Sequence, residues 1–116
     1  MLVNAIILFA IAAVGGLTMA ILHFRGRTPP PVWLAVLHGL FAACGLIVLL
    51  IGVIGAASRG APVALVLLLI AALGGFTLVS FHMRRRALPN GLVVGHALIA
   101  VAGFVVLLAA AWALIG

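Results

Sequence analysis

Four histidines carry the clearest chemistry of this chain, because they lie within or at the ends of long apolar stretches. They are His23, His38, His82 and His96. Ionisable side chains are costly to hold in such stretches, and they commonly mark a functional site. Neutral imidazole is a ligand of transition metals and of haem iron. The sequence therefore predicts a ligand site built from histidines.

The surroundings of these histidines occur twice in the chain. Segment 15–27, GGLTMAILHFRGR, resembles segment 74–86, GGFTLVSFHMRRR, and each contains one histidine. Each segment is followed by a second histidine with a glycine next to it, His38 in the first copy and His96 in the second. We predict a single domain, 1–116, made of two tandem repeats, 1–57 and 61–116.

Each histidine also has a glycine seven residues away, on the side that lies deeper in its apolar stretch. These glycines are Gly16, Gly45, Gly75 and Gly103. Seven residues are about two turns of a helix, so each glycine shares a helix face with its histidine. The spacing predicts a groove without side chains beneath each imidazole, which is the clearance that a flat apolar ligand needs.

Composition indicates an integral membrane protein, since 69% of the residues are hydrophobic and 5% are charged. Four apolar stretches, 2–22, 32–57, 61–81 and 91–116, each have about 20 residues or more, enough to cross about 30 Å of hydrocarbon as a helix. The first lacks a basic leader and exceeds the apolar core of a signal peptide, so we expect it to be retained. The expected fold is all-α, a membrane four-helix bundle of two helical hairpins with pseudo-two-fold symmetry along the membrane normal.

The arginines predict the orientation of these spans. Arg25, Arg27 and the run 84–86 lie in two loops on one side, whereas Arg59 alone lies on the other. Basic loops stay cytoplasmic, so loops 24–31 and 83–91 should be cytoplasmic and both termini should lie on the opposite side. We expect a bacterial inner membrane. Topology accounts for the positive charge, so the expected partner is the lipid bilayer and not nucleic acid.

Haem is the ligand that suits these residues best. The apolar stretches and glycines offer walls and clearance for the macrocycle, and a pair of histidines on facing helices can ligate its iron. The propionates need cations at the membrane edge, which the arginines on the histidine side can supply: Arg25, Arg27, Arg84 and Arg86. No Cys-x-x-Cys-His occurs, so we expect haem b to be bound non-covalently.

Four spans with paired histidines, nearby glycines and arginine loops resemble the small four-helix membrane b-type cytochromes, broadly the cytochrome b561-like group. The resemblance extends loosely over the whole chain. It implies that His23, His38, His82 and His96 are axial ligands, and that the activity is electron transfer with a quinone or a redox protein as partner. The chain differs in one respect. The b561 pattern has haems near both membrane faces, whereas these histidines all lie near one face.

Two arrangements of haem are open. One haem on the pseudo-axis would be held by His38 and His96, with His23 and His82 contacting its propionates. Two haems would each take one shallow and one deep histidine, and the glycine beside every histidine favours this second arrangement.

Two other functions are also open. A metal site or transporter could use the four histidines, although the chain has no acidic group to assist a zinc ligand or carry protons. The protein could instead be a non-catalytic accessory subunit of a larger complex, which would need no cofactor. If the histidines do form a ligand site, a second copy of the chain could complete it. We expect an electron-transfer protein rather than a hydrolytic or group-transfer enzyme, because Asp, Glu, Lys and Tyr are all absent and leave a histidine few partners for acid–base chemistry. We expect Thr18 and Thr77 to bond their own helix backbones.

Overall fold

A computed structural model describes residues 2–26, 30–55 and 59–115, with side chains through residue 113. Within these residues the chain forms α1 (Leu2–Phe24), α2 (Val32–Ile54), α3 (Gly60–Met83) and α4 (Asn90–Ile115). All four helices are long and apolar enough to cross a membrane. The prediction of an all-helical chain with four helices long and apolar enough to cross a membrane is confirmed, and such helices indicate an integral membrane protein.

The helices begin and end where local backbone preferences require it. Pro31 precedes α2 with φ −58° and ψ 136°, and its carbonyl accepts from the N–H of Leu34 at 3.2 Å. Proline suits this position because the first helical N–H groups have no partner within the helix. α1 ends at Phe24 and α3 ends at Met83, and the second residue after each helix has a positive φ, 78° at Gly26 and 54° at Arg85. These two equivalent turns direct the chain into α2 and α4.

The four helices pack side by side in chain order around a central axis. α1 packs mainly along α2, and α3 packs mainly along α4, with smaller contacts between α2 and α3 and between α1 and α4. Within the described residues the backbones of α2 and α4 do not approach each other closely, nor do those of α1 and α3. α2 and α4 are therefore diagonal neighbours, and their inward-facing side chains can meet on the axis. The bundle measures 44 × 20 × 19 Å.

The buried core occupies the end of the bundle opposite the arginine loops. It is made by the first half of α1 and α3 and the second half of α2 and α4, and its largest fully buried side chains are Leu49 and Leu107. The end that carries loops 24–31 and 83–91, which we call the arginine end, contributes no residue to this cluster. All four histidines lie toward the arginine end and are only partly buried. The tightly packed half therefore holds the helices together, and the histidine half is more open.

Candidate functional site

The centre of the candidate site is a pair of histidines from the two diagonal helices. The rings of His38 on α2 and His96 on α4 have centroids 6.2 Å apart and planes at 84°. Two metal–imidazole bonds of about 2 Å each, plus roughly 1 Å from each nitrogen to its ring centre, give a centroid separation of about 6 Å. The observed separation is therefore the one that two imidazoles would have with a metal ion between their Nε2 atoms.

Hydrogen bonds to the backbone fix which nitrogen of each imidazole carries the proton. Nδ1 of His38 donates to the carbonyl oxygen of Ala12 at 2.7 Å, and Nδ1 of His96 donates to that of Ala71 at 2.7 Å. A carbonyl oxygen can only accept, so Nδ1 holds the proton in both rings and Nε2 of a neutral ring keeps its lone pair. Metal-bound histidines commonly make the same Nδ1–H to carbonyl bond, which orients the ring and raises the basicity of Nε2.

Glycines on α1 and α3 leave the space that these imidazoles occupy. A Cβ on Gly16 would lie 2.9 Å from Cε1 of His38, and a Cβ on Gly75 would lie 3.2 Å from Cε1 of His96. The predicted pattern paired each of these glycines with the histidine of its own helix. In the structure each accommodates the histidine of the next helix, because the two helices of a hairpin cross closely at this height. Gly16 and Gly75 therefore belong to the surroundings of the His38–His96 pair.

The other two glycines of the pattern lie in the packed half of the bundle. A Cβ on Gly45 would lie 3.0 Å from Cζ of Phe9, and a Cβ on Gly103 would lie 2.8 Å from Cγ of Leu68. Both positions thus receive a large side chain from the adjacent helix where the spacing predicted an open groove. Their role as cofactor contacts stays a prediction, and their packing role is sufficient to explain a glycine there.

The shallow histidine of α1 is tied to the beginning of α4. Nε2 of His23 donates to Oδ1 of Asn90 at 2.7 Å, so in the neutral ring Nδ1 of His23 is an acceptor. That Nδ1 is buried and has no hydrogen-bond partner among the described residues. The sequence pattern gave no sign of Asn90, because it relates residues within a hairpin and this bond joins the first helix to the last.

The shallow histidine of α3 has no equivalent bond. Nε2 of His82 is buried and has no hydrogen-bond partner within the described part of the chain. The alignment of the repeats puts Pro31 of the first copy opposite Asn90 of the second, and proline has no side-chain acceptor. His23 and His82 are therefore matched in sequence and differ in their surroundings.

The four histidines do not converge on one point. In the described residues, which include all four histidines and Cys44, no three metal-ligating side chains gather closely enough to hold an ion together. Structural zinc sites take four ligands and catalytic sites take three. The geometry therefore supports a two-histidine site more strongly than a zinc centre of three or four protein ligands.

The arginines of this end that the structure describes are exposed. Arg25, Arg84 and Arg86 are exposed, and Arg27 lies outside the described residues. Arg84 turns back onto its own helix, where Nη2 donates to Oγ of Ser80 at 2.6 Å and the guanidinium lies 5.3 Å from the centroid of the Phe81 ring. The histidine pair thus has several cations at the nearer end of the bundle.

The two threonines of the repeated segments behave as expected. Oγ1 of Thr18 donates to the carbonyl of Val14 at 2.8 Å, and Oγ1 of Thr77 donates to that of Leu73 at 3.0 Å. Both bonds stay within one helix, so neither hydroxyl contacts a histidine through them.

The chain matches no protein-family model, no curated protein and no solved structure. Its function is therefore argued from the histidine pair and its surroundings.

Proposed function

We propose that this protein is a membrane b-type cytochrome that binds haem b through His38 and His96. The observation that carries the proposal is the 6.2 Å separation of their ring centroids, with both Nδ1 atoms bonded to backbone carbonyls. The iron would take Nε2 of each ring, and the apolar helices would exclude water from it. Bound haem supplies reversible one-electron transfer.

The paired geometry favours one haem for each chain over the two that the glycine pattern had suggested. His38 and His96 contact each other and not the shallow histidines, and Nε2 of His23 is already bonded to Asn90. In this arrangement His23 and His82 stand nearer the arginine end, where Arg25, Arg27, Arg84 and Arg86 would neutralise the propionates. Gly16 and Gly75 would leave the space that the two ligand rings occupy.

We further propose that the two hairpins are related by the pseudo-two-fold axis that the sequence repeat predicts. Matched contacts support this: Ala12 and Ala71 accept from the deep histidines, and Gly16 and Gly75 contact the same rings. The arginine end would face the cytoplasm of a bacterium, with the protein in the inner membrane. A quinone or a redox protein would exchange electrons with the haem, and assembly into a homo-oligomer or larger complex would fit the small size.

Absorption spectroscopy of the detergent-purified protein, expressed with an ample haem supply, tests the proposal. We expect sharp α and β bands and a shifted Soret band after dithionite reduction, as bis-histidine haem b gives. Pyridine haemochrome measured against protein concentration should give one haem for each chain. Colourless protein would overturn the proposal. Colourless protein with stoichiometric zinc or copper would support the histidine-based metal site, and metal-free colourless protein would support the accessory subunit.

A further inference from the structure

The guanidinium groups at the arginine end have no acidic side chain to pair with anywhere in the chain, which contains no Asp or Glu. Arg25, Arg84, Arg85 and Arg86 are all exposed. Arg84 donates hydrogen bonds to Ser80 and lies over the ring of Phe81, and both of these partners are neutral. The charge of this end is therefore uncompensated within the protein.

Exposed apolar side chains stand directly beside these charges. Phe24, next to Arg25, is 55% exposed, and Met83, next to Arg84, is 79% exposed. Trp33 at the start of α2 belongs to the same end and is 64% exposed. Apolar side chains followed immediately by arginines match the boundary between acyl chains and phosphate groups in a bilayer.

We propose that the arginine end is a binding surface for anionic phospholipids, with Arg25, Arg85 and Arg86 contacting the headgroup phosphates. Guanidinium groups bind phosphate oxygens through paired hydrogen bonds, and anionic lipids are attracted to basic segments at the ends of membrane helices. The opposite end carries Arg59 alone and should not show this enrichment. The proposal rests on the charge and exposure of the loop residues and not on haem binding, and Arg85 is the one of its three arginines that is not also proposed to neutralise a propionate.

The two tryptophans of the chain report on the two ends separately. Trp112 lies near the end of α4, at the end opposite Trp33, and is 76% exposed. A Trp112→Phe variant leaves Trp33 as the only indole, and a Trp33→Phe variant leaves Trp112. Each would be reconstituted in phosphatidylcholine vesicles that contain either acyl-brominated phosphatidylglycerol or the same fraction of acyl-brominated phosphatidylcholine. Bromine quenches only nearby indoles. The quenching by brominated phosphatidylglycerol divided by the quenching by brominated phosphatidylcholine therefore measures the local enrichment of anionic lipid around each indole.

We expect the ratio at Trp33 to correspond to an enrichment of about five-fold, as one basic contact gives, and the ratio at Trp112 to be near one. Arg85→Gln combined with Arg86→Gln should bring the Trp33 ratio close to one, whereas Arg59→Gln should leave it unchanged. Equal ratios at the two indoles, or an equal loss with Arg59→Gln, would overturn the proposal. All variants are compared at equal haem content, because Arg25 and Arg86 are also proposed partners of the haem propionates.

Discussion

The imidazole planes of His38 and His96 are nearly perpendicular, at 84°, across a centroid separation of 6.2 Å. Each ring is held at this angle from a different side, by the carbonyl of Ala12 on α1 and that of Ala71 on α3. The orientation is thus a property of the backbone around the pair, and it should persist when the pair ligates iron.

Electron paramagnetic resonance of the oxidised protein should report this angle. Perpendicular axial imidazoles leave two iron d orbitals close in energy, so we expect one strong low-field signal from low-spin ferric haem. Nearly parallel imidazoles would give a rhombic spectrum with three resolved features. A rhombic spectrum would show that the rings rotate on binding, and that the hydrogen bonds to Ala12 and Ala71 do not set the ligand orientation.

Replacing Gly16 by alanine should displace the His38 ring, because the new Cβ would lie 2.9 Å from Cε1. Overpacking of this kind costs about 1–3 kcal/mol, and we expect a lower melting temperature and weaker haem retention. Gly75→Ala should act in the same direction more weakly, since its Cβ would lie 3.2 Å from the His96 ring.

Gly39→Ala is the matched control for these two substitutions. It also lies in a helix, and among the described residues no atom of another helix lies within 4 Å of the position its Cβ would take. We expect unchanged haem content and a small gain in stability from helix propensity. Equal effects of Gly16→Ala and Gly39→Ala would contradict a specific contact between Gly16 and the imidazole.

Arg85→Gly should stabilise the protein, because Arg85 has φ 54° at the end of α3, where the first hairpin has Gly26 with φ 78°. The left-handed conformation costs a residue with a Cβ about 1–2 kcal/mol, and glycine avoids this cost. Glycine also loses more conformational entropy on folding, so we expect a net increase of about 0.5–1 kcal/mol in the free energy of unfolding. Thermal unfolding in detergent measures the change. Arg86→Gly is the control, as Arg86 has no positive φ, and it should give no gain. Destabilisation by Arg85→Gly would contradict the prediction, and would mean that the Arg85 side chain stabilises the fold by more than its positive φ destabilises it.

The hydrogen bond between His23 and Asn90 should give a coupling energy between the two residues in a double-mutant cycle of stability. His23→Ala and Asn90→Ala should each lower the melting temperature, and their combination should cost less than the sum of the two by about 0.5–1.5 kcal/mol. A cycle of His23→Ala with Asn4→Ala provides the control, since Asn4 lies in the first turn of α1 at the opposite end. Strict additivity in the first cycle would contradict a direct bond between His23 and Asn90.

Sequence patterns predict the helices closely, since uninterrupted apolar stretches and proline or arginine boundaries leave few alternatives. The stretch 61–81 lies within Gly60–Met83, and 2–22 lies within Leu2–Phe24. Helix adjacency is not encoded in such patterns. The meeting of His38 with His96 depends on α2 and α4 being diagonal, and the contact of Gly16 with His38 depends on how closely α1 and α2 cross. Both are results of packing among four helices.

The measurement that tests the central claim most directly is the reduced absorption spectrum of the four single histidine-to-alanine variants, with haem content normalised to folded protein. We predict that His38→Ala and His96→Ala each lose the low-spin α band, because each would remove one of the two proposed iron ligands. His23→Ala and His82→Ala should keep both the band and one haem for each chain. Loss of half the haem in any variant would support two haems. An unchanged spectrum in His38→Ala or His96→Ala would contradict ligation by this pair.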